Sequence, residues 1–186
     1  QQIRLQATNA RNTEWALRGQ TLEGLVYLIV GENDSAHICL SPVYAHPNLS
    51  QWPDLHSQVL FQLGVFAQRR TQLSRAVDLL NQSIMLSTQL GDSVQVAKAC
   101  ATLRSVYLEL DHVPLSLAYA KRALGAYRSQ NDSLGISRTF TDLAHLYALQ
   151  ADTASDLAQY DSALVYTRAI GYPKGLAAIL SNISSI

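Results

Sequence analysis

Apolar residues recur at helical spacing along the chain, as in Val94, Ala97, Ala101, Val106 and Leu108, and after a polar break in Leu117, Ala120, Ala123 and Leu124. That spacing is the mark of an α-helix with one buried face, and two such stripes joined by a short turn predict a helical hairpin. First helices are predicted near 13–31, 53–70, 92–110, 132–151 and 173–186, and second helices near 34–45, 72–89, 113–129 and 154–169. Asp92 and Gln95 have the spacing of a capping box, while Gly91 and Asn131 fall where the preceding helices should stop.

The hairpins repeat every 40 residues. Tyr27, Tyr107 and Tyr147 share one phase, with Ala67 in the remaining copy; Leu63, Leu103, Leu143 and Ile183 share another. Small residues keep register too: Gly24 with Gly64, then Ala36, Ala76 and Ser116, and seven residues on Val43, Ser83, Ala123 and Ala163. Thr13, Pro53, Ser93, Ser133 and Pro173 form a column of residue types suited to a helix cap or first turn. One hairpin cannot bury its own apolar face, but stacked copies can, so the expected fold is an all-α superhelix with a concave side. Small residues at fixed phases let helix backbones approach, and the tyrosines fill the space beside them.

The first helices read Leu60-x2-Leu63-Gly64-x2-Ala67, Cys100-x2-Leu103-Arg104-x2-Tyr107 and Phe140-x2-Leu143-Ala144-x2-Tyr147, with Gln20-x2-Glu23-Gly24-x2-Tyr27 as a degenerate first copy. These residues resemble the tetratricopeptide repeat (TPR), whose first helix carries W-x2-L-G-x2-Y and whose second carries small residues. The resemblance covers about 13–186 and implies a right-handed solenoid of antiparallel helical hairpins, about four and a half TPR-like repeats. The unit is longer than the usual one of about 34 residues. Gly91-Asp92 and Asn131-Asp132 are similar to the Gly-Asp start of a long variant found in many regulators.

Three segments depart from the pattern. Pro42 should kink and shorten the first second-helix, leaving a loop from His46-Pro47 to Trp52-Pro53. Residues 1–12 have no counterpart in the frame and are read as an N-terminal extension or the tail of a preceding helix. The last helix ends with Leu176, Ile179, Leu180 and Ile183 and no polar capping helix, so the natural chain is expected to continue past residue 186. A fragment ending there could hide the stripe in a homodimer.

Composition narrows the reading further. Fourteen Lys and Arg balance fourteen Asp and Glu, and the sequence pI is about 7.1, so no global field draws the chain to nucleic acid or an acidic membrane. The longest apolar run, Leu25 to Val30, falls far short of the roughly 20 residues that span a bilayer. No signal peptide is visible and Gln1 is not Met, so Gln1 is read as following a processing site or an imposed boundary. The compartment stays open, with cytoplasmic favoured over periplasmic or secreted. Cys39 and Cys100 sit in apolar stretches and are read as buried free thiols.

No enzymatic motif emerges, and neither a cofactor nor a metal is expected. Gly19 and Gly24 have the GxxxxG spacing of a phosphate loop, but Leu25-Val26 replaces the Lys-Ser/Thr that would hold phosphate. The histidines at 37, 46, 56, 112 and 145 form no HExxH or paired metal spacing, and His37-Ile38-Cys39 lacks a second ligand pair. Five of the seven asparagines begin Asn-x-Ser, at Asn33, Asn48, Asn81, Asn131 and Asn182. Helix capping accounts for Asn33 and Asn131, and the predicted helices containing Asn81 and Asn182 leave no room for a glycan.

In the repeat frame the first helices line the concave side, and two polar columns face it. One holds Arg18, Gln58, Lys98 and Arg138; the other holds Gln62, Thr102, Asp142 and Asn182. Ser105 and His145 are expected deeper, with Arg69 and Glu109 toward the far edge. Such a ladder can hydrogen-bond an extended peptide, and its cations can attract an acidic group. The Asn182 position is similar to the asparagine that related long repeats use to hold a peptide main chain. Only Lys98 matches the carboxylate clamp of the chaperone-binding members. The expected function is a non-catalytic scaffold for a protein or peptide partner. The alternative is a ligand- or peptide-sensing regulatory domain of a larger signalling protein, such as a sensor kinase or transcription regulator.

Overall fold

A computed structural model describes residues 2–150 and 153–184, which are helical with short turns and contain no strand. The chain divides into two units, Gln1–Gly91 and Asp92–Ile186. The first contains α1 (Gln2–Val30), α2 (Asn33–Tyr44), a 3-10 turn (Leu49–Gln51), α3 (Pro53–Arg69) and α4 (Leu73–Leu90). The second contains α5 (Ser93–Glu109), α6 (Val113–Ser129), α7 (Ser133–Ala148), α8 (Thr153–Ala169) and α9 (Pro173–Ile183). Residues 2–12 continue α1 without a break. Helix α2 contains Pro42 and is only 12 residues long, and the loop after it coils into the 3-10 turn before Trp52. The fold is all-α and built of helical hairpins, as the 40-residue register predicts.

The turns explain the register. Gly31, Thr71 and Asp111, spaced by 40, all have positive φ, as do Gly91, Asn131 and Gly171 in the other set of turns. A left-handed residue after a helix lets a following N–H reach back to an otherwise unpaired carbonyl. Thus Glu32 donates to the Tyr27 carbonyl at 2.8 Å, Gln72 to Ala67 at 2.9 Å, His112 to Tyr107 at 2.8 Å and Asp132 to Tyr127 at 3.1 Å. Thr71 is the costly member, because a β-branched residue is poorly suited to φ of 55°.

Helix starts are fixed in the same periodic way. The carboxylates of Asp92 and Asp132 each accept a hydrogen bond at 3.0 Å, from the N–H of Gln95 and of Gly135 respectively. The box predicted at Asp92 is present as the bond from the Gln95 N–H to the Asp92 carboxylate, and the buried Gln95 Nε2 makes no hydrogen bond. Forty residues after Asp132 stands Tyr172, whose side chain makes no capping bond to α9.

In unit 1 the paired helices approach at glycine. A Cβ on Gly24 would lie 2.7 Å from Leu40 Cγ, and one on Gly64 would lie 2.7 Å from Leu80 Cγ. Leu40 and Leu80 are fully buried in these contacts. Below them Ser57 of α3 meets the Ser83 and Ser87 hydroxyls of α4 at 3.3 and 2.5 Å. Arg18 of α1 braces α3 by pairing with both Glu14 and Asp54 at 2.8 Å. Burial opposes ionisation of Asp54, but the Arg18 hydrogen bond, with help from the Leu55 N–H, outweighs it and holds this carboxyl below its ordinary value.

Unit 2 packs the same phases with other sizes. Phe140, Leu143, Ala144 and Leu146 of α7 meet Tyr160 and Ala163 of α8, and Ile179 of α9 joins this core. Ser137 of α7 hydrogen-bonds Thr167 of α8, at the phases of Ser57 and Ser87. The apolar stripe of α9, expected to be exposed, is largely used here: Ile179 is buried, and Leu176 and Ile183 pack against the core. Leu180 is the stripe residue left exposed.

Three outcomes are expected. Gly64→Val should lower stability by about 1–3 kcal/mol through its clash with Leu80, and shrinking the partner as well (Leu80→Ala) should cost less than the two separate losses added, as a double-mutant cycle would show. Thr71→Gly should raise stability by up to about 1 kcal/mol in denaturant melts. Because the Asp54 carboxyl is depressed, its contribution is present above the ordinary carboxylate range and lost as pH falls through its own lower value. Thermal melts should therefore separate wild type from Arg18→Gln at pH 7 and bring them together near the acid limit.

Candidate functional site

The sequence places two polar columns on the first helices, and the two units use them differently. In unit 1, Arg18 is engaged by Glu14 and Asp54. Gln58 is half-buried, and Gln62 is buried with no hydrogen bond to its Oε1. Arg69 donates to the Leu28 carbonyl and to Asn33 Oδ1, so it ties α3 to the start of α2. These side chains serve mainly the packing of their own unit.

In unit 2 the columns are more open. Lys98 is exposed on α5, and Arg138 and His145 are exposed on α7. Among the described residues neither Lys98 nor Arg138 forms an ion pair. Thr102 and Ser105 are half-buried, and the Thr102 hydroxyl is spent on the Lys98 carbonyl at 3.0 Å. Glu109 and Asn182 are exposed, and Asn182 hydrogen-bonds the buried Tyr160 hydroxyl.

The other side chains converge around Asp142. Arg104 Nη2 of α5 donates to Asp142 Oδ2 of α7 at 3.0 Å, and both side chains are mostly covered. Arg104 Nε is also buried and makes no hydrogen bond. Burial pushes the Asp142 carboxyl above its ordinary value, although Arg104, His145 and Arg138 pull the other way. Beside this pair lies a cavity of about 370 Å³, walled by α5, α7 and the first two turns of α9. Arg104, Arg138 and Asp142 line it with Thr141, Tyr172 and Lys174.

Arg104 and Lys174 are absent from the columns read from sequence. The signal for Arg104 was its phase: position 104 continues the series Gly24, Gly64, and ends at Ala144, so a long cation stands where the other copies keep a small residue. Its partner position is Ala120, where the other hairpins have Leu40, Leu80 and Tyr160, so volume lost on one helix makes space for the arginine stem. Lys174 had no such signal, because its importance comes from what folds beside it.

The arrangement suits recognition of anionic groups. The Cys100 thiol, pushed up to about 11 by burial, is protonated at neutral pH, and burial also raises the Cys39 thiol. Among the described residues no group of three or more His, Cys, Asp and Glu could hold a metal ion, and no helix is long and apolar enough to cross a membrane.

No family model matches the chain, and no curated protein matches it either. Solved structures do resemble it. MamA is 15% identical with a TM-score of 0.65, covering 83% of this chain and 80% of its own. BtubC (BKLC) from P. vanneervenii is 20% identical with a TM-score of 0.73; the match covers 82% of this chain and 63% of BtubC. The nearly identical TPR-like repeats described for a kinesin light chain of Podosopora anserina are 18% identical with a TM-score of 0.57, over 91% of this chain and 94% of theirs. With its paired helices, small-residue contacts and 40-residue register, the chain has the fold of the TPR-like helical repeats.

Proposed function

We propose that this chain is a non-catalytic scaffold that holds a protein or peptide partner on the polar faces of its first helices. The observation that carries the reading is the pair Lys98 and Arg138. They stand at the same phase on α5 and α7 of unit 2, both exposed and, among the described residues, both without an ion pair. Positive charge left uncompensated on rigid helices attracts acidic side chains, and neighbouring polar groups fix an extended main chain. Around them Thr102, Ser105, Asp142, His145 and Asn182 supply polar contacts, with Glu109 at the edge of α5. In unit 1, Gln58 and Gln62 belong mainly to the packing of their own unit, where Arg18 keeps the helices in place. The fold supports a protein partner in general terms, and the exposed Lys98 and Arg138 favour the first-helix faces of unit 2 as its seat.

The cavity beside Asp142 favours a second reading, a regulatory domain of a larger signalling protein such as a sensor kinase or transcription regulator. A small ligand there would touch α5, α7 and α9 together and alter their packing. Since α9 spends most of its apolar stripe inside unit 2, a homodimer through that helix is not part of the proposal.

Capture of partners from the source cell, comparing wild type with Lys98→Glu/Arg138→Glu, tests the scaffold. An acidic partner should be lost, with affinity falling by about 1–3 kcal/mol while the far-ultraviolet dichroism is unchanged. A catch identical in both proteins would remove the binding face from α5 and α7.

A further inference from the structure

We infer that the cavity between α5, α7 and the start of α9 binds a compact dianionic phosphoryl group, with Arg104, Arg138 and Lys174 supplying the positive charge. The step rests on the proposed use of the unit 2 face, since Arg138 and Asp142 belong to both, and adds the chemical class of the ligand. Three cations and one carboxylate line the space, which leaves two positive charges unmatched. A phosphoryl group carries about −1.5 to −2 at neutral pH, whereas a single carboxylate would answer only one of them. Arginine forks suit phosphoryl oxygens, and the lysine adds a point charge.

The first turn of α9 adds to this cationic setting. In α5 and α7 the Asp92 and Asp132 carboxylates occupy the third N–H of the helix. In α9 the corresponding cap residue is Tyr172, which offers no such bond, and the third residue, Gly175, lines the cavity. Pro173 brings no N–H, but no side chain caps the N–H groups of Lys174 and Gly175, and such a helix start favours negative charge; a side chain at Gly175 would collide with Tyr172. The volume, about 370 Å³, holds a phosphoryl group with part of the chain that carries it. Tyr172, Ala178 and Ile179 provide an apolar wall for that chain. Asp142 competes with an incoming anion for Arg104, so neutralising it should tighten binding, whereas a purely structural carboxylate would show no such gain.

The phosphoryl group could come from a phosphorylated side chain of a peptide or from a small phosphate ester. Calorimetric titration of the whole chain with inorganic phosphate, with a phosphoserine hexapeptide and with its unphosphorylated twin separates them. Saturable phosphate binding is expected, weakened at least about tenfold in Arg138→Gln/Lys174→Gln and strengthened about threefold in Asp142→Asn. Both residues of the double variant are exposed, and an unchanged dichroism spectrum checks its fold. A phosphopeptide binding at least about tenfold more tightly than phosphate assigns the peptide source; near-equal affinity assigns the small ester. Absence of saturation by either probe, unchanged affinity in the double variant, or acetate binding as tightly as phosphate would overturn the site. Lys98 does not line the cavity, so Lys98→Glu should spare phosphate binding while weakening partner capture, which keeps failure of this site distinct from failure of the scaffold.

Discussion

The left-handed residue that follows α1, α3, α5, α6 and α8 is the constraint on which the rest depends. Where these helices stop, Gly31, Thr71, Asp111, Asn131 or Gly171 turns the chain so that the next N–H can satisfy a carbonyl of the final turn. The joint then needs only two or three residues, for example Gly31 and Glu32 between α1 and α2. A link so short leaves no freedom to slide one helix along its neighbour. Gly24 is therefore delivered opposite Leu40 and Gly64 opposite Leu80, and the 40-residue register in the sequence is the imprint of that rigidity. At Thr71, Asp111 and Asn131 residues with a Cβ tolerate left-handed backbone for the sake of it, which indicates how strongly the geometry is imposed.

Regular packing also explains how a functional group can be introduced without breaking the repeat. The Gly24–Leu40 phase demands that one helix be small where the other is large, but it does not dictate which. In the α5–α6 hairpin the order is reversed, with Arg104 on the first helix and Ala120 on the second. The charged end of Arg104 meets Asp142 of the next hairpin in unit 2. Burial raises the energy of the Asp142 charge, and the neighbouring cations restrain that rise. A core position thereby becomes part of a polar wall, while the Ser116 hydroxyl still donates to the Arg104 carbonyl at 2.8 Å and keeps the two helices together.

Much of this was legible in the sequence because the signals were local. Helix periods, Asp92 and Asp132 as caps, and Gly91 and Asn131 as stops all act within a few residues of themselves, and α2 to α9 follow the predicted ranges closely, whereas α1 reaches back to Gln2 instead of starting near residue 13. The polar columns were legible as positions but not as environments. Gln62 and Thr102 share a phase, yet one is buried among its own unit's side chains and the other is half-exposed. The stripe on α9 was readable as apolar, but whether Ile179 faces solvent or core depends on α7 and α8. Lys174 gave no sign at all, since its relevance arises from Arg104 and Arg138, which lie far from it in the chain.

The difference between Arg18 and Lys98 shows why residue type alone does not define a binding face. Both occupy one phase of the repeat, and both are cations on a first helix. Arg18 has Glu14 one turn before it and Asp54 on α3, so its charge is neutralised inside unit 1. The positions equivalent to Asp54, one repeat apart, are Val94 and Leu134, which carry no charge. At this phase the first helices of unit 2 therefore lack the acid that consumes Arg18, and among the described residues Lys98 and Arg138 form no ion pair. What matters for recognition is the charge that remains after the fold has satisfied itself, and in this chain that surplus lies on α5, α7 and the first turn of α9.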